Sequence, residues 1–210
     1  SGTTTQTLSS SVFESSSINS LTNNNSNGLT QSGDITITSA LILENGAYTI
    51  GTNTLTILGE ITTNSGTLVG GNSSNIVIEG SGASTNLPAV SVNNLTLNRT
   101  NGVSLSGNVS VNGLLTLTTG TLNVEANSLT IFGNTITRTN GNINSDNVLG
   151  SVIFSNSSAL ILPLSIFTSA TIENLTINGT GGLTANENFT VNGILNLQNV
   201  NPSATKGLLD

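Results

Sequence analysis

Cysteine, histidine, methionine and tryptophan are all absent from this chain of 210 residues, and each absence removes a class of chemistry. Without cysteine there is neither a disulfide nor a thiolate metal site. Without cysteine and histidine there is no Ser-His-Asp or Cys-His nucleophile system and no zinc site built from those ligands. Basic residues are nearly missing too: Arg99, Arg138 and Lys206 stand against ten acidic residues, for a net charge of -7. Three cations cannot make the Lys/Arg surface that phosphate binding needs, so nucleic acid is not an expected partner. Aromatic residues are 3% of the chain, too few for a conventional aromatic core or for the aromatic girdles of an outer-membrane barrel. No apolar run approaches the roughly 18 residues of a membrane span. A run of four, Ala159-Leu160-Ile161-Leu162, is stopped by Pro163, and no membrane insertion is expected. The opening SGTTTQTLSSSVFESSS lacks the basic and apolar segments of a signal peptide.

What the chain does contain is a short apolar-Thr-apolar strand that recurs. Ile35-Thr36-Ile37 is followed by Leu55-Thr56-Ile57, Ile76-Val77-Ile78, Leu95-Thr96-Leu97, Leu115-Thr116-Leu117, a weaker Ile136, Val152-Ile153-Phe154, Leu175-Thr176-Ile177 and Leu195-Asn196-Leu197. Eight steps lead from Ile35 to Leu195, a mean spacing of 20. A fixed short period signals stacked supersecondary units, each unable to bury its apolar face alone. A longer repeat overlies the short one. Residues 94–117, NLTLNRTNGVSLSGNVSVNGLLTL, align without a gap on 174–197, NLTINGTGGLTANENFTVNGILNL, at an offset of 80, with half the positions identical. At an offset of 74, Gly33-Asp34-Ile35 answers Gly107-Asn108-Val109, and Asn53 to Ile57 answers Asn127 to Ile131. Both offsets suggest a duplicated block of about four coils.

Each period of about 20 residues holds three strand signals separated by turn residues. Between Leu95 and Leu115 they are Leu95-Thr96-Leu97, Val103-Ser104-Leu105 and Val109-Ser110-Val111; the next period has Leu115-Thr116-Leu117, Leu122-Asn123-Val124 and Leu129-Thr130-Ile131. The expected fold is therefore all-β, a single-stranded parallel β-helix (β-solenoid) with about 20 residues and three short strands per coil. Roughly nine coils would make a rod about 45 Å long at a rise of about 4.8 Å. The alternative is a tandem array of immunoglobulin-like β-sandwiches, for which the length of the duplicated block is plausible. Asn-Gly pairs such as Asn27-Gly28, Asn45-Gly46, Asn101-Gly102, Asn112-Gly113, Asn178-Gly179 and Asn192-Gly193 could close its hairpins. They fit solenoid corners better, where Asn and Gly tolerate a left-handed backbone, because strands of three or four residues are short for a sandwich. Residues 1–17 read as a Ser/Thr-rich linker or irregular cap. Residues 18–210 read as the solenoid array, in blocks of approximately 18–92, 93–172 and an incomplete 173–210. Lys206-Gly207-Leu208-Leu209-Asp210 begins an apolar strand, which suggests a section of a longer chain.

Candidate chemistry is sparse. Glu60 and Glu79 are nineteen apart and could stack on adjacent coils as the paired carboxylates of glycoside hydrolysis; a solvated surface pair is the plainer reading. Arg99 and Arg138 sit beside threonines in expected turns. Asp34 and Asp146 lie in Asn/Gly-rich turns that could offer oxygen ligands to calcium, but neither the calcium-roll nonapeptide nor the EF-hand spacing occurs. Gly70-Gly71-Asn72 lacks the Lys of a phosphate loop. No metal, cofactor or catalytic residue is expected. If Thr36, Thr56, Thr96, Thr116 and Thr176 all point outward, they form a threonine ladder along one face, as on ice-binding solenoids; threonine's strand propensity explains them as well. Nine N-x-S/T sequons, at Asn24, Asn72, Asn94, Asn98, Asn108, Asn156, Asn174, Asn178 and Asn188, arise readily in such a composition.

The string from Asn94, NLTLN followed by GVSLSGNVSVNGLLTLTTGTLN, and its partner NLTINGTGGLTANENFTVNGILNLQN, resemble the repeats of very large surface proteins of Bacteroidota, over roughly residues 20–210. Those proteins are exported by the type IX secretion system. The resemblance implies a secreted, cell-surface, non-enzymatic solenoid acting as a stalk or adhesive display surface. It further implies a surface glycan or protein as partner, the secretion machinery as a second, and self-association through solenoid ends as a third. A polysaccharide-binding or polysaccharide-cleaving β-helix is the alternative function, and an ice-binding solenoid a third.

Overall fold

The computed structural model describes residues 4–198. They form a β-solenoid of about ten turns with about 20 residues per turn, and every strand pairing among them is parallel. No strand among them turns back on its neighbour, so the sandwich alternative is set aside.

Each coil has three faces. The first face stacks residues 35–37 on Thr54–Ile57, Asn75–Gly80, Asn94–Arg99, Leu114–Thr119 and Thr135–Arg138. The second stacks residues 40–43 on Glu60–Thr63 and continues through Thr85–Leu87, Val103–Leu105, Thr121–Asn123 and Asn142–Asn144. Its two parts are joined where the Ile61 N–H donates to Thr85 Oγ1 at 2.8 Å. The third face carries Gln6–Ser9, Leu29–Ser32, Ala47–Thr49 and Thr67–Val69. It then runs through Val90–Val92, Val109–Val111, Ser128–Ile131, Ser151–Phe154, Asn174–Ile177 and Leu195–Leu197. The sequence separation of register partners ranges from 18 at Thr85 and Val103 to 23 at Val152 and Leu175, so length differences are absorbed at the corners.

Strand alternation builds the core. Along Asn94–Arg99 the residues Leu95, Leu97 and Arg99 are buried while Asn94, Thr96 and Asn98 are half-buried, the period of two that a pleated strand imposes. Aliphatic residues from all three faces, with Tyr48, Phe154 and Phe167, form one buried cluster down the axis. Fully burying a Leu, Ile or Val side chain contributes about 1.5–3 kcal/mol, so a few such residues per coil suffice where ladder bonds already pair the backbone. The core is apolar except at chosen points. Tyr48 Oη donates to Gln31 Oε1 at 2.9 Å, and Gln31 Nε2 donates to the carbonyls of Gly33 and Thr54.

The structure adds detail at the N-terminal end of the array and departs from the sequence reading in how the recurring strands share faces. Within the segment read as a linker or irregular cap, Gln6–Ser9 pairs in register with Leu29–Ser32, and the Ser17–Asn24 strand opens the first and second faces by pairing with Ile35–Asn45. The expected end strand at 206–210 lies outside the described residues. The recurring strands from Ile35 to Leu195 also do not share one face. Those centred on residues 36, 56, 77, 96 and 116 and the strand at Ile136 belong to the first face. Those centred on 153, 176 and 196 belong to the third.

That change of face recurs with the long repeat. The offsets of 74 and 80 make Leu21, Leu95 and Leu175 equivalent. Leu21 pairs with Leu41 on the second face, Leu95 with Leu115 on the first, and Leu175 with Leu195 on the third. Counting strands from residues 35–37 to Val109–Val111, or from Asn94–Arg99 to Asn174–Ile177, gives eleven steps each time. The block is eleven strands long rather than the twelve of four whole coils, so each copy is turned by one face.

The Asn-Gly pairs do sit at corners, but for two different reasons. Gly28, Gly46 and Gly102 have φ of 92°, 70° and 70°, the left-handed region that glycine adopts without penalty. Gly113 and Gly179 are needed for space: a Cβ there would lie 2.6 Å from Asn93 Oδ1 and 2.4 Å from Asn156 O. Among the described residues no asparagine has a positive φ; its use at corners is hydrogen bonding.

Candidate functional site

The corner asparagines build a cross-coil device. Asn94 Oδ1 accepts from the Leu114 N–H at 2.7 Å, Asn174 Oδ1 from Ile194 at 2.9 Å, and Asn108 Oδ1 from Ser128 at 3.0 Å. Asp34 occupies the position equivalent to Asn108, and its Oδ1 accepts from the Thr54 N–H at 2.7 Å. In all four cases the acceptor lies 20 residues before the donor. The side chain substitutes for the ladder where the backbone turns, closing a donor that would otherwise be unpaired. Asp34 is thus committed to joining its coil to the next. Asp146 is exposed in the loop before Ser151–Phe154.

On the first face the outward residues form a row. Thr36 lies opposite Thr56, Thr56 opposite Val77, Val77 opposite Thr96, Thr96 opposite Thr116, and Thr116 opposite Thr137. Thr36, Thr56, Thr96 and Thr116 are half-buried and recur at the inter-strand spacing of about 4.8 Å. Thr137 extends the row, and the pattern Thr135-Ile136-Thr137 carried the signal. Thr176 stands on the third face, between Ile153 and Asn196. Beside the row, Asn94 Nδ2 donates to Asn75 Oδ1 at 2.8 Å.

Glu60 and Glu79 are not opposed. Glu60 is exposed and faces Ala40 on the second face, whereas Glu79 faces Asn98 on the first. Their common neighbour is Arg99. Its side chain, 1% exposed, turns inward from the end of Asn94–Arg99 rather than lying in a turn. Nη1 donates to Leu58 O at 2.7 Å and Glu79 O at 3.2 Å, and Nε to Ala83 O at 2.7 Å. Burial lowers its pKa and the charge of Glu60 raises it again. A buried cation is tolerated when carbonyl oxygens replace its hydration, and here they come from two preceding coils. Gly82 leaves room for the guanidinium: a Cβ there would lie 2.7 Å from Nη2. Sequence reading missed this because no carboxylate neighbours Arg99 in sequence, and the burial of the sixth strand position is a tertiary fact. Arg138, in contrast, is half-buried and bonds locally, with Nε donating to Gly141 O at 2.7 Å.

Two further features depart from a plain polar rod. Val148 and Leu149 are 72% and 73% exposed on a corner loop, and Ile194 is 69% exposed. All three gather around Asn174, whose Nδ2 donates to Val148 O and Gly150 O while its Oδ1 receives the Ile194 N–H. Asn156, one of the sequons, is fully buried and donates to Ser158 O and Gly182 O, which excludes a glycan at that position in the folded chain. Among the described residues no three His, Cys, Asp or Glu side chains gather as metal ligands. The arrangement is organised for holding coils together. No protein-family model, no curated protein and no solved structure matches the chain.

Proposed function

We propose that the chain is an extracellular structural segment, a rigid stalk that displays its polar faces to a surface glycan or protein. The observation that supports this reading is the parallel stack from Gln6 to Leu197, built of six hydrogen-bonded sheets wrapped around one continuous core. Bending such a rod opens ladder bonds on one face and crushes core on the others, so stiffness is the property the fold supplies. Ten turns at about 4.8 Å give a length of about 48 Å. The cell-surface setting rests on the resemblance to Bacteroidota repeats.

Rigidity is measurable because the chain has no cysteine. Spin labels on Thr49→Cys and Thr176→Cys, both half-buried on the third face, lie six coils apart, about 29 Å along the axis. A narrow distance distribution near that value is expected. A broad one would remove the stalk reading. Labelling of intact cells of the source organism with an antibody against the chain tests the location, and a glycan array probed with the purified chain tests the display role. Unlabelled intact cells with strongly labelled lysates would overturn the first, and a blank array together with no surface-protein binding would overturn the second.

A further inference from the structure

We propose that Asn45 is the site at which this folded protein deamidates, while the remaining Asn-Gly sequences are protected by the coil architecture. An asparagine before glycine reacts when the glycine backbone nitrogen, having lost its proton, attacks the asparagine side-chain carbonyl carbon. The new N–C bond closes a succinimide and the side-chain nitrogen leaves as ammonia. Water then opens the ring to aspartate or isoaspartate. The nitrogen must therefore be free of its hydrogen bond, and the side chain free to swing.

Seven Asn-Gly pairs occur in the chain, at Asn27, Asn45, Asn101, Asn112, Asn140, Asn178 and Asn192. In six of them the glycine N–H is held. Gly28 donates to Asn25 O, Gly102 to Arg99 O, Gly113 to Asn93 O, Gly141 to Leu117 O, Gly179 to Phe154 O and Gly193 to Glu173 O, at 2.7 to 3.3 Å. Among the described residues the Gly46 N–H has no acceptor, although Gly46 O is engaged by the Thr67 N–H at 3.0 Å. Asn45 itself is exposed and its side-chain amide has no hydrogen-bond partner among the described residues. Asn101 and Asn112, by comparison, have their amides tied to carbonyls of the preceding coil.

The free N–H belongs to this kind of corner. At the position related to Gly46 by the offset of 74, Gly120 has φ of 83° against 70° for Gly46. A Cβ would lie 1.9 Å from Arg99 O there and 2.0 Å from Asn25 O at Gly46. Gly120, too, accepts at its carbonyl, from Asn142, and its N–H has no acceptor among the described residues. The residue before it is Thr119, which has no amide to lose. Of these two described corners, the first alone combines the open N–H with an asparagine.

The product changes the corner. Aspartate adds a second carboxylate beside Glu44, and isoaspartate inserts an extra backbone carbon one residue before the carbonyl that receives Thr67. Incubating the intact protein at mildly alkaline pH and mapping its peptides by mass spectrometry tests the proposal. The peptide bearing Asn45 should gain the mass of an NH-to-O exchange about tenfold faster than any other Asn-Gly peptide, the factor expected when the other sites must first break one hydrogen bond. In denaturant the seven sites should react at similar rates. Asn45→Thr, the residue the second copy uses, should abolish the fast phase and leave the others unchanged. Equal rates at all seven sites in the folded protein, or a fast phase that survives Asn45→Thr, would overturn the assignment.

Discussion

Asp34 was a candidate calcium ligand by composition, but in the folded chain it accepts the Thr54 N–H one coil on. Its replacement separates the two roles. Asp34→Asn, which matches Asn108 at the equivalent corner, should leave thermal stability nearly unchanged. Asp34→Ala should cost about 1 kcal/mol in urea unfolding, the usual worth of one intramolecular hydrogen bond. Glu125 carries an avoidable strain. It holds φ of 55° where its equivalent in the earlier copy is Gly51 at 68°, and a left-handed non-glycine residue costs about 1–2 kcal/mol. Glu125→Gly should therefore stabilise the protein by about 1 kcal/mol, less what glycine loses in the unfolded chain, read as an upward shift in melting temperature. Arg99→Met leaves the carbonyls of Leu58, Glu79 and Ala83 without their donor and should cost about 3 kcal/mol or more by the same unfolding assay. Tyr48 adds a pH dependence. Burial pushes its pKa above the ordinary value of 10.0, so the folded state keeps a proton that the unfolded state releases. The stabilisation is complete below about pH 10 and is lost above it, at up to about 1.4 kcal/mol per pH unit. Denaturation midpoints measured from pH 8 to 12 should fall from about pH 10 upward, and Tyr48→Phe should flatten that decline.

At the level of the strand and the corner, much of the fold was legible. Ile and Leu alternating with Thr betray a pleated strand at Leu95-Thr96-Leu97 whatever lies around it, and three such signals per period define a coil. What was not legible is which face a strand joins, because Leu95-Thr96-Leu97 and Leu175-Thr176-Ile177 are nearly the same string on different faces. The choice is made by how many strands separate the copies, and eleven per block shift each copy by one face. The candidate site was less legible for a similar reason: the partners of Arg99 lie 16, 20 and 41 residues away. The coil should accordingly behave as an exchangeable part. Deleting residues 115–135 removes one turn and places Leu95 against Ile136, which takes the register of Leu115. The shortened protein should keep its β-sheet circular dichroism and a cooperative melt. Leu115→Ala, a single change inside the same coil, should instead cost about 2–5 kcal/mol through the cavity it leaves.

The whole molecule is a stack whose layers are not equally secure. Mid-rod residues such as Leu95, Leu115 and Leu129 are essentially fully buried, whereas Leu183, Phe189, Val191 and Leu195 are only half-covered. In a one-dimensional array each layer is stabilised by its neighbours, so opening proceeds from the less covered layers. Native-state hydrogen exchange should show amides in 183–197 exchanging before those in 95–131; uniform protection along the rod would contradict a layered opening. The eleven-strand repeat bears on how such a rod meets other objects. Because three does not divide eleven, successive copies of one surface motif point in three directions about the axis. A flat partner laid along the rod touches one copy in three, so duplication of the block multiplies sequence without multiplying valence on any side. Avidity requires several copies engaged at once, and this geometry withholds it from planar surfaces and from a second rod lying alongside, leaving partners that encircle the rod as those able to engage every copy.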